Sequence, residues 1–402
     1  MKIASVRSFL LSYPFPKPIR LPSYGGERTI YKRDAMIIRV ETDNGLVGYA
    51  PGPGSERAQE LIQGMIEPFL RDRALADPDA LRIHFFQASG ADTELARAYC
   101  SVEIALYDIT GKAHGAPVSE LIGGRERDHI RLYGSAGMYM PPEGFAAEAA
   151  AIAELGFTAY KMRPALGPEG DLEAVRLMRR AVGADFDLMV DARTWWQMGS
   201  RNYSLETIEK LAQELGEHHI AWLEEPFPPR DHAAYHQLKE QDLVPLASGE
   251  HEPDEEGYLD LILGQAVDYI QMDVCCNGGY AMGRRLFREI EHQDLRFAFH
   301  SHGTALEVIA AAQLGVCWPE SVVEWLEYPC YSTPERAGMY PFPLAAEVLK
   351  EPLRIDRGDL IVPRTPGLGV AVDESVIERY PWIPGPWLTV ETDSPAGSGA
   401  AS

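Results

Sequence analysis

Apolar and polar positions alternate with period two through "AMIIRVETDNGLVGYAP", the pattern of half-buried strands. The alternation breaks at Asp43-Asn44-Gly45, residue types that close a tight hairpin. The period changes to that of amphipathic helices in "SERAQELIQGMIEPFLRD" and "ELARAYCSVEIALYDITGKAHG", so residues 1–125 read as an α+β unit. From about Arg131, short apolar runs alternate with helical segments such as "FAAEAAAIAELG", "DLEAVRLMRRAVG", "SLETIEKLAQELG" and "AMGRRLFREIEHQD". Strands are predicted to begin near Arg131, Phe157, Asp187, Ile220, Val244, Asp268, Arg296 and Val322. Alternating strands and helices imply parallel strands, and eight are enough to close a barrel.

These runs end in polar residues. Lys161 and Arg163 occupy alternate positions in "AYKMRPALG" and so share one face of their strand. Asp191 ends "LMVD", Glu224 "WLE", Glu250 "ASGE", Asp273 "IQMD", His300 "FAFH" and Glu327 "WLE", each about one β/α unit after the last. A charged residue ending one apolar strand is usually the solvated start of a loop. Seven such ends in register, from the second strand to the eighth, point instead to one pocket, because the C-terminal strand ends of an α/β barrel ring a single mouth.

Composition narrows the ligand. The chain of 402 residues carries a formal net charge of −23, which argues against a nucleic-acid or anionic-membrane partner. Local cations still permit a small anionic substrate. Among five cysteines only Cys275 and Cys276 adjoin. That gives neither a disulfide framework nor a zinc site, and suggests a reducing, cytoplasmic setting. The apolar stretch of "MKIASVRSFLLSYPF" is short and soon interrupted by proline, so neither a signal peptide nor a membrane span is read there. The tail "SPAGSGAAS" is expected to fray.

Asp191, Glu224 and Glu250 come from three consecutive strands, and bare carboxylates at close range would raise one another's pKa. A hard divalent cation resolves the repulsion, and an all-oxygen site suits Mg²⁺. Glu225 points to the opposite face if the strand continues, and is the competing ligand. Asp273 and His300 end adjacent strands; a carboxylate beside an imidazole fixes its tautomer and makes a general base or acid. His302 is the alternative base, but His300 terminates the apolar run.

The ordered series Lys-x-Arg, Asp, Glu, Glu, Asp, His, Glu resembles the enolase superfamily, mandelate racemase subgroup. "SVEIALYDITGKAHGAPVSELIGG" is similar to that family's last capping helix and Gly-Gly turn, and "TPGLGVAVDESVIERY" to its C-terminal return. The resemblance implies an α/β fold: a modified TIM barrel, (β/α)7β, under an α+β capping domain built from both termini. The expected divisions are 1–125 for the cap, 126–350 for the barrel and 351–402 for a segment returning to the cap. It implies Mg²⁺ on Asp191, Glu224 and Glu250, chelated by a carboxylate substrate whose α-proton a base removes to give a metal-stabilised enediolate. Lys161 and Arg163 would converge on that carboxylate opposite the Asp273–His300 dyad. Glu327, when protonated, would hydrogen-bond the other carboxylate oxygen.

Two departures from the subgroup bear on the reaction. Arg163 stands where a second lysine often acts as a base, and arginine is a poor proton acceptor but a good carboxylate fork. Arg193 in "DAR" stands where asparagine is common, and could grip a distal substrate group or pair with a neighbouring acid. The leading expectation is an acid-sugar dehydratase forming a 2-keto-3-deoxy acid, with a cycloisomerase or an epimerase using Lys161 as alternatives and a silent sugar-acid binder as the non-enzymatic rival. Mouth-closing loops are expected from "SYGGERTIYKR", with Tyr24, Glu27 and Arg28, and from "APGPGSER". A homo-oligomer is the prior for a barrel of this kind.

Overall fold

Period-two alternation near the N-terminus folds into strands β1 (Ile3–Ser23), β2 (Gly26–Thr42) and β3 (Val47–Gly52). The computed structural model describes residues 1–90, 92–138, 140–192, 203–330, 339 and 342–392; the tail "SPAGSGAAS" lies outside them. β2 pairs antiparallel with both β1 and β3, and the β2–β3 turn is the expected hairpin, with Gly45 at φ +83°. The prolines near the N-terminus do not end β1. Pro14, Pro16, Pro18 and Pro22 lie within it, and its register with β2 shifts between Pro14 and Ile19. Among the described strands β1 pairs with β2, apart from one isolated bridge at Leu11 to Pro381, and an edge strand tolerates residues that lack an N–H.

Side-chain caps begin the first helical stretches. Ser55 accepts from the amide of Ala58, and Asp92 from that of Leu95 at the head of the 22-residue helix Thr93–His114. Gly115, left-handed at φ +68°, ends that helix.

The barrel comprises β4 (His129–Met138), β5 (Ala159–Arg163), β6 (Asp187–Asp191), β7 (Trp222–Glu224), β8 (Leu246–Ser248), β9 (Tyr269–Met272), β10 (Arg296–Phe299) and β11 (Val323–Pro329). All neighbours are parallel, and β11 pairs with β4 to close the ring. The first seven strands are each followed by a helix, from Pro142–Glu154 to Ala305–Gly315, which is the (β/α)7β pattern. A hairpin of β12 (Ile355–Asp356) and β13 (Asp359–Ile361) pairs antiparallel with β4. The chain then returns to the cap, where β14 (Leu388–Thr392) adds to β2.

One residue per strand plugs the barrel: Tyr133, Ala159, Met189, Trp222, Ala247, Tyr269, Ala298 and Trp325. Small and large side chains mix in this layer, which fills a ring of fixed diameter. Because successive inward positions are two apart, the next layer toward the C-terminal mouth is Ser135, Lys161, Asp191, Glu224, Gly249, Gln271, His300 and Glu327. An apolar floor therefore lies directly beneath a polar layer.

Candidate active site

Lys161, in the middle of β5, is fully buried. Its Nζ donates to Glu224 Oε1 at 2.6 Å and lies 3.4 Å from Glu327 Oε1. Arg163, also buried, donates from Nε to Asp191 Oδ2 at 3.1 Å and from Nη2 to Glu327 Oε1 at 2.7 Å. The two cations thus meet carboxylates of the protein itself. Burial opposes the charge on Lys161, but Glu224 and Glu327 hold its pKa above the ordinary lysine value.

Glu327 is the hub of this layer. Ser135 Oγ donates to its Oε1, and the amide of Ser301 to its Oε2 at 3.1 Å. Burial would raise its pKa, yet Lys161, His300 and Arg163 hold it well below the usual carboxylate range. The protonated form that the resemblance implies is not the form these partners favour.

Across the mouth, His300 Nδ1 lies 3.3 Å from Asp273 Oδ2, and Nε2 lies 3.2 Å from Glu250 Oε2 and 3.8 Å from Glu327 Oε2. Burial alone would depress the imidazole; Glu250, Glu327 and Asp273 together push it up to about 10. The other oxygen of Asp273 accepts from the amides of Cys275 and Cys276, which fixes the carboxylate behind the ring. The His302 ring stands 6.0 Å from that of His300, nearly parallel to it.

Asp191 and Glu224 are register partners on adjacent strands. Glu224 Oε2 accepts from Trp222 Nε1 at 2.9 Å and Gln271 Nε2 at 2.8 Å. Glu250 is turned into the mouth by Gly249, at φ +132°, and His300 and His251 overcome its burial to hold it at about 2. Glu225, at φ +42°, turns toward the next strand end, where His251 Nδ1 lies 2.8 Å from its carboxylate and 3.3 Å from Glu250. Glu225, Glu250 and His251 bring ligand atoms within 4.8 Å of one another.

Charge balance tests whether a divalent cation fits. Five carboxylates (Asp191, Glu224, Glu250, Asp273 and Glu327) face Lys161, Arg163 and a protonated His300, which leaves two negative charges in a buried layer. Burying unbalanced charge is costly, and a hard dication beside oxygen donors would offset both. The acidic donors fit a hard dication of the Mg²⁺ kind, but among the described residues the expected ligands Asp191, Glu224 and Glu250 are not a group whose ligand atoms lie within 4.8 Å of one another, whereas Glu225, Glu250 and His251 are.

Strand-end reading missed the donors that organise these acids. Ser135 and Gln271 could have been found by counting in twos along β4 and β9. Glu307, whose Oε1 accepts from Ser301 Oγ and from the amides of His302 and Gly303, has no such local signature. Arg193 lies outside the described residues.

Above this layer is a cavity of about 650 Å³ shared by barrel and cap. The "APGPGSER" segment lines it through residues such as Pro51 and Ser55. "SYGGERTIYKR" is not the loop expected: it is the tip of the β1–β2 hairpin followed by β2 itself, and the amide of Tyr24 donates to Ala165 O at 2.7 Å. Arg28 lines the cavity, whereas Glu27 lies 3.8 Å from Arg20.

Comparison with known proteins places this architecture. The family model "Mandelate racemase / muconate lactonizing enzyme, N-terminal domain" matches residues 13–123, and "Enolase C-terminal domain-like" matches residues 144–376. A D-galactarolactone cycloisomerase from Agrobacterium fabrum is 26% identical over 94% of this chain and 99% of that protein. A D-xylonate dehydratase from Haloferax volcanii is 28% identical over 86% and 85%. Among solved structures, the 3,6-anhydro-D-galactonate cycloisomerase from Zobellia galactanivorans has a TM-score of 0.80 at 27% identity, covering 94% of this chain and 99% of that one.

Proposed function

This chain belongs to the mandelate racemase / muconate lactonizing enzyme family of the enolase superfamily, and from that premise we propose that it is a Mg²⁺-dependent acid-sugar dehydratase. The observation that carries the reading is the buried mouth in which an Asp273-supported His300 and the Lys161–Arg163 pair approach one another through Glu327. Relatives named as sugar-acid dehydratases and cycloisomerases support the substrate class.

Asp191, Glu224 and Glu250 would hold the cation, with Glu225 the neighbouring carboxylate. Bound there, Mg²⁺ would supply the Lewis-acid charge that makes a proton α to a carboxylate removable. Arg163 lines the cavity and would meet the substrate carboxylate, with Lys161 buried behind it, and Ser135 and the Ser301 amide keep Glu327 aligned. Glu250, the carboxylate that most raises the His300 pKa, would be engaged by the cation it holds, and the imidazole so freed of its proton takes the α-proton through Nε2 while Asp273 steadies Nδ1. The electron pair of the broken C–H bond enters the enediolate and then expels the β-hydroxyl. His300 returns its proton to that hydroxyl, which departs as water, and the enol tautomerises to the 2-keto-3-deoxy acid.

A cycloisomerase is the second reading, favoured by the two relatives of that name that match nearly this whole chain. Epimerisation would need a second base. Arg163 is a fork between two carboxylates, and Lys161 is ion-paired twice, so neither serves as readily as His300.

The test is a panel of mono- and diacid sugars incubated with the Mg²⁺-loaded protein, with semicarbazide detection of keto products. His300→Asn should lower turnover by about 10²–10⁴-fold. Product of unchanged mass would replace dehydration with cycloisomerisation. Neither product nor solvent-deuterium exchange on any of the panel would overturn the proposal.

A further inference from the structure

Another cavity, of about 250 Å³, opens between the helix Pro78–Ser89 and the helix Gly279–His292 and shares no lining residue with the mouth. The first helix lies in the stretch matched by the N-terminal family model and the second in that matched by the enolase-like one, so the cavity sits on the seam between them. Helical spacing builds its walls: Asp79 and Arg82 are one turn apart, and Arg284, Arg285 and Arg288 share a face of the other helix. Four arginines thus line one hollow beside a single acid. In a chain of net charge −23 this is a local reversal of sign.

The acids within reach are taken by two of the four. Asp79 Oδ2 accepts from Arg284 Nη2 at 2.6 Å while its Oδ1 accepts from the Tyr107 hydroxyl at 2.7 Å. Glu255 takes Arg285 through two parallel bonds of 2.7 Å each. No hydrogen bond or ion pair to a described residue engages Arg82 or Arg288. Arg82 rests over the Phe86 ring, 5.1 Å from its centroid, and its Nε is buried without an acceptor, a donor that buried groups rarely leave unused. Glu103, in the neighbouring helix Thr93–His114, lies in the field of Arg82 and Arg284; burial pushes it up to about 7. It therefore offsets at most one of the two positive charges left over.

We propose that this seam cavity is a binding site for a small phosphate-bearing anion, held by Arg82 from one helix and Arg288 from the other. A phosphate group carries about −1.5 to −2 near neutral pH, which matches the charge that Asp79 and Glu255 leave unanswered. Its oxygens point in tetrahedral directions, so guanidinium forks from two separate helices can each take a pair, whereas a planar carboxylate presents one edge. The volume falls short of the roughly 300–1,000 Å³ of pockets for drug-sized ligands, so the occupant is small. Bound there, it would tie a helix of the cap to a helix of the barrel, and binding to the folded chain alone raises its stability.

The test titrates inorganic phosphate, glycerol 3-phosphate and acetate calorimetrically into the full chain without divalent cations, and into Arg82→Gln, Arg288→Gln and the double variant. The wild-type protein should bind phosphate about tenfold or more tightly than acetate. Each single substitution should weaken phosphate binding about tenfold, in line with the loss of one charge-assisted contact, and the double variant should bind none. Phosphate should also raise the melting temperature of wild type and leave that of the double variant unmoved. Arg288 is exposed, so its substitution should spare the fold and keeps the test decisive if Arg82→Gln melts early. Glycerol 3-phosphate bound as tightly as phosphate would support the site and make a phosphomonoester its ligand; tenfold weaker binding would support it and make free phosphate the ligand. Phosphate binding that survives in the double variant lies elsewhere, and would overturn the proposal. So would acetate binding as tightly as phosphate, or a phosphate Kd weaker than about 10 mM, the mark of an adventitious ion only.

Discussion

Lys161 shows what one residue does in a layer from which water is excluded. Its ammonium is held by Glu224 and Glu327 with no exposed surface, so removing it leaves buried carboxylates without their cation. Lys161→Met should cost about 3–5 kcal/mol of unfolding free energy, the range for breaking a buried pair on one side, measured by denaturant titration without divalent cations. Glu103 makes a different point, away from the site. It is fully buried in the helix Thr93–His114, its Oε1 accepts from the amide of Ala281, and burial pushes its pKa up to about 7, with Arg82 and Arg284 pulling down and Asp79 pushing up. A carboxyl raised in the fold binds more protons there than in the unfolded chain. Its stabilising contribution is therefore whole below pH 4.5 and lost as pH rises through about 7. Glu103→Gln should remove that slope, so its melting temperature should gain on wild type between those limits. Parallel profiles would show that Glu103 does not titrate in this window.

At the scale of the element, the ends of the short strands decide which side chains enter the mouth. β7 and β8 are three residues each, and counting in twos along them places Glu224 and Gly249 inward but leaves Glu225 and Glu250 outward. The backbone overrides that parity at Gly249 and at Glu225, both with positive φ, a conformation that carries strain for any residue except glycine. A Cβ on Gly249 would press into the carbonyl oxygen of Gln271, whose side chain holds Glu224. Gly249→Ala should therefore cost at least about 1–3 kcal/mol and also weaken Mg²⁺ binding, read by calorimetric titration. Lost stability with full metal affinity would mean that Gly249 serves the fold but does not aim Glu250.

For the whole molecule, the cap is held by the last strand as well as the first. Trp382 Nε1 donates to Glu56 at 3.0 Å, the amide of Ile383 donates to Ser12 Oγ at 3.0 Å, Lys32 Nζ donates to the Ile383 carbonyl, and β14 extends the sheet along β2. A chain ending at Tyr380 should melt earlier and expose the β1–β2 hairpin to limited proteolysis, with the barrel more resistant because its ring closes without that strand. Equal resistance of cap and barrel in the shortened chain would show that β14 is dispensable.

The order of strands and helices, and the polar residue ending each barrel strand, were legible in the chain because both are local: side-chain direction repeats every two residues in a strand and every 3.6 in a helix. Lys161, Asp191, Glu224, His300 and Glu327 fall on one inward layer for that reason. The hairpin at Gly45 was equally local. Only the tertiary structure decided that the two cations are answered by the protein's own carboxylates, since ring closure brings Glu327 to Arg163 across 164 positions. It alone turned Glu225 toward His251, made a strand of the expected lid around Arg28, and set Arg82 and Arg288 around one cavity. Those juxtapositions depend on which distant backbones pair and how the ring closes, and no period along the chain encodes the meeting of two segments hundreds of residues apart.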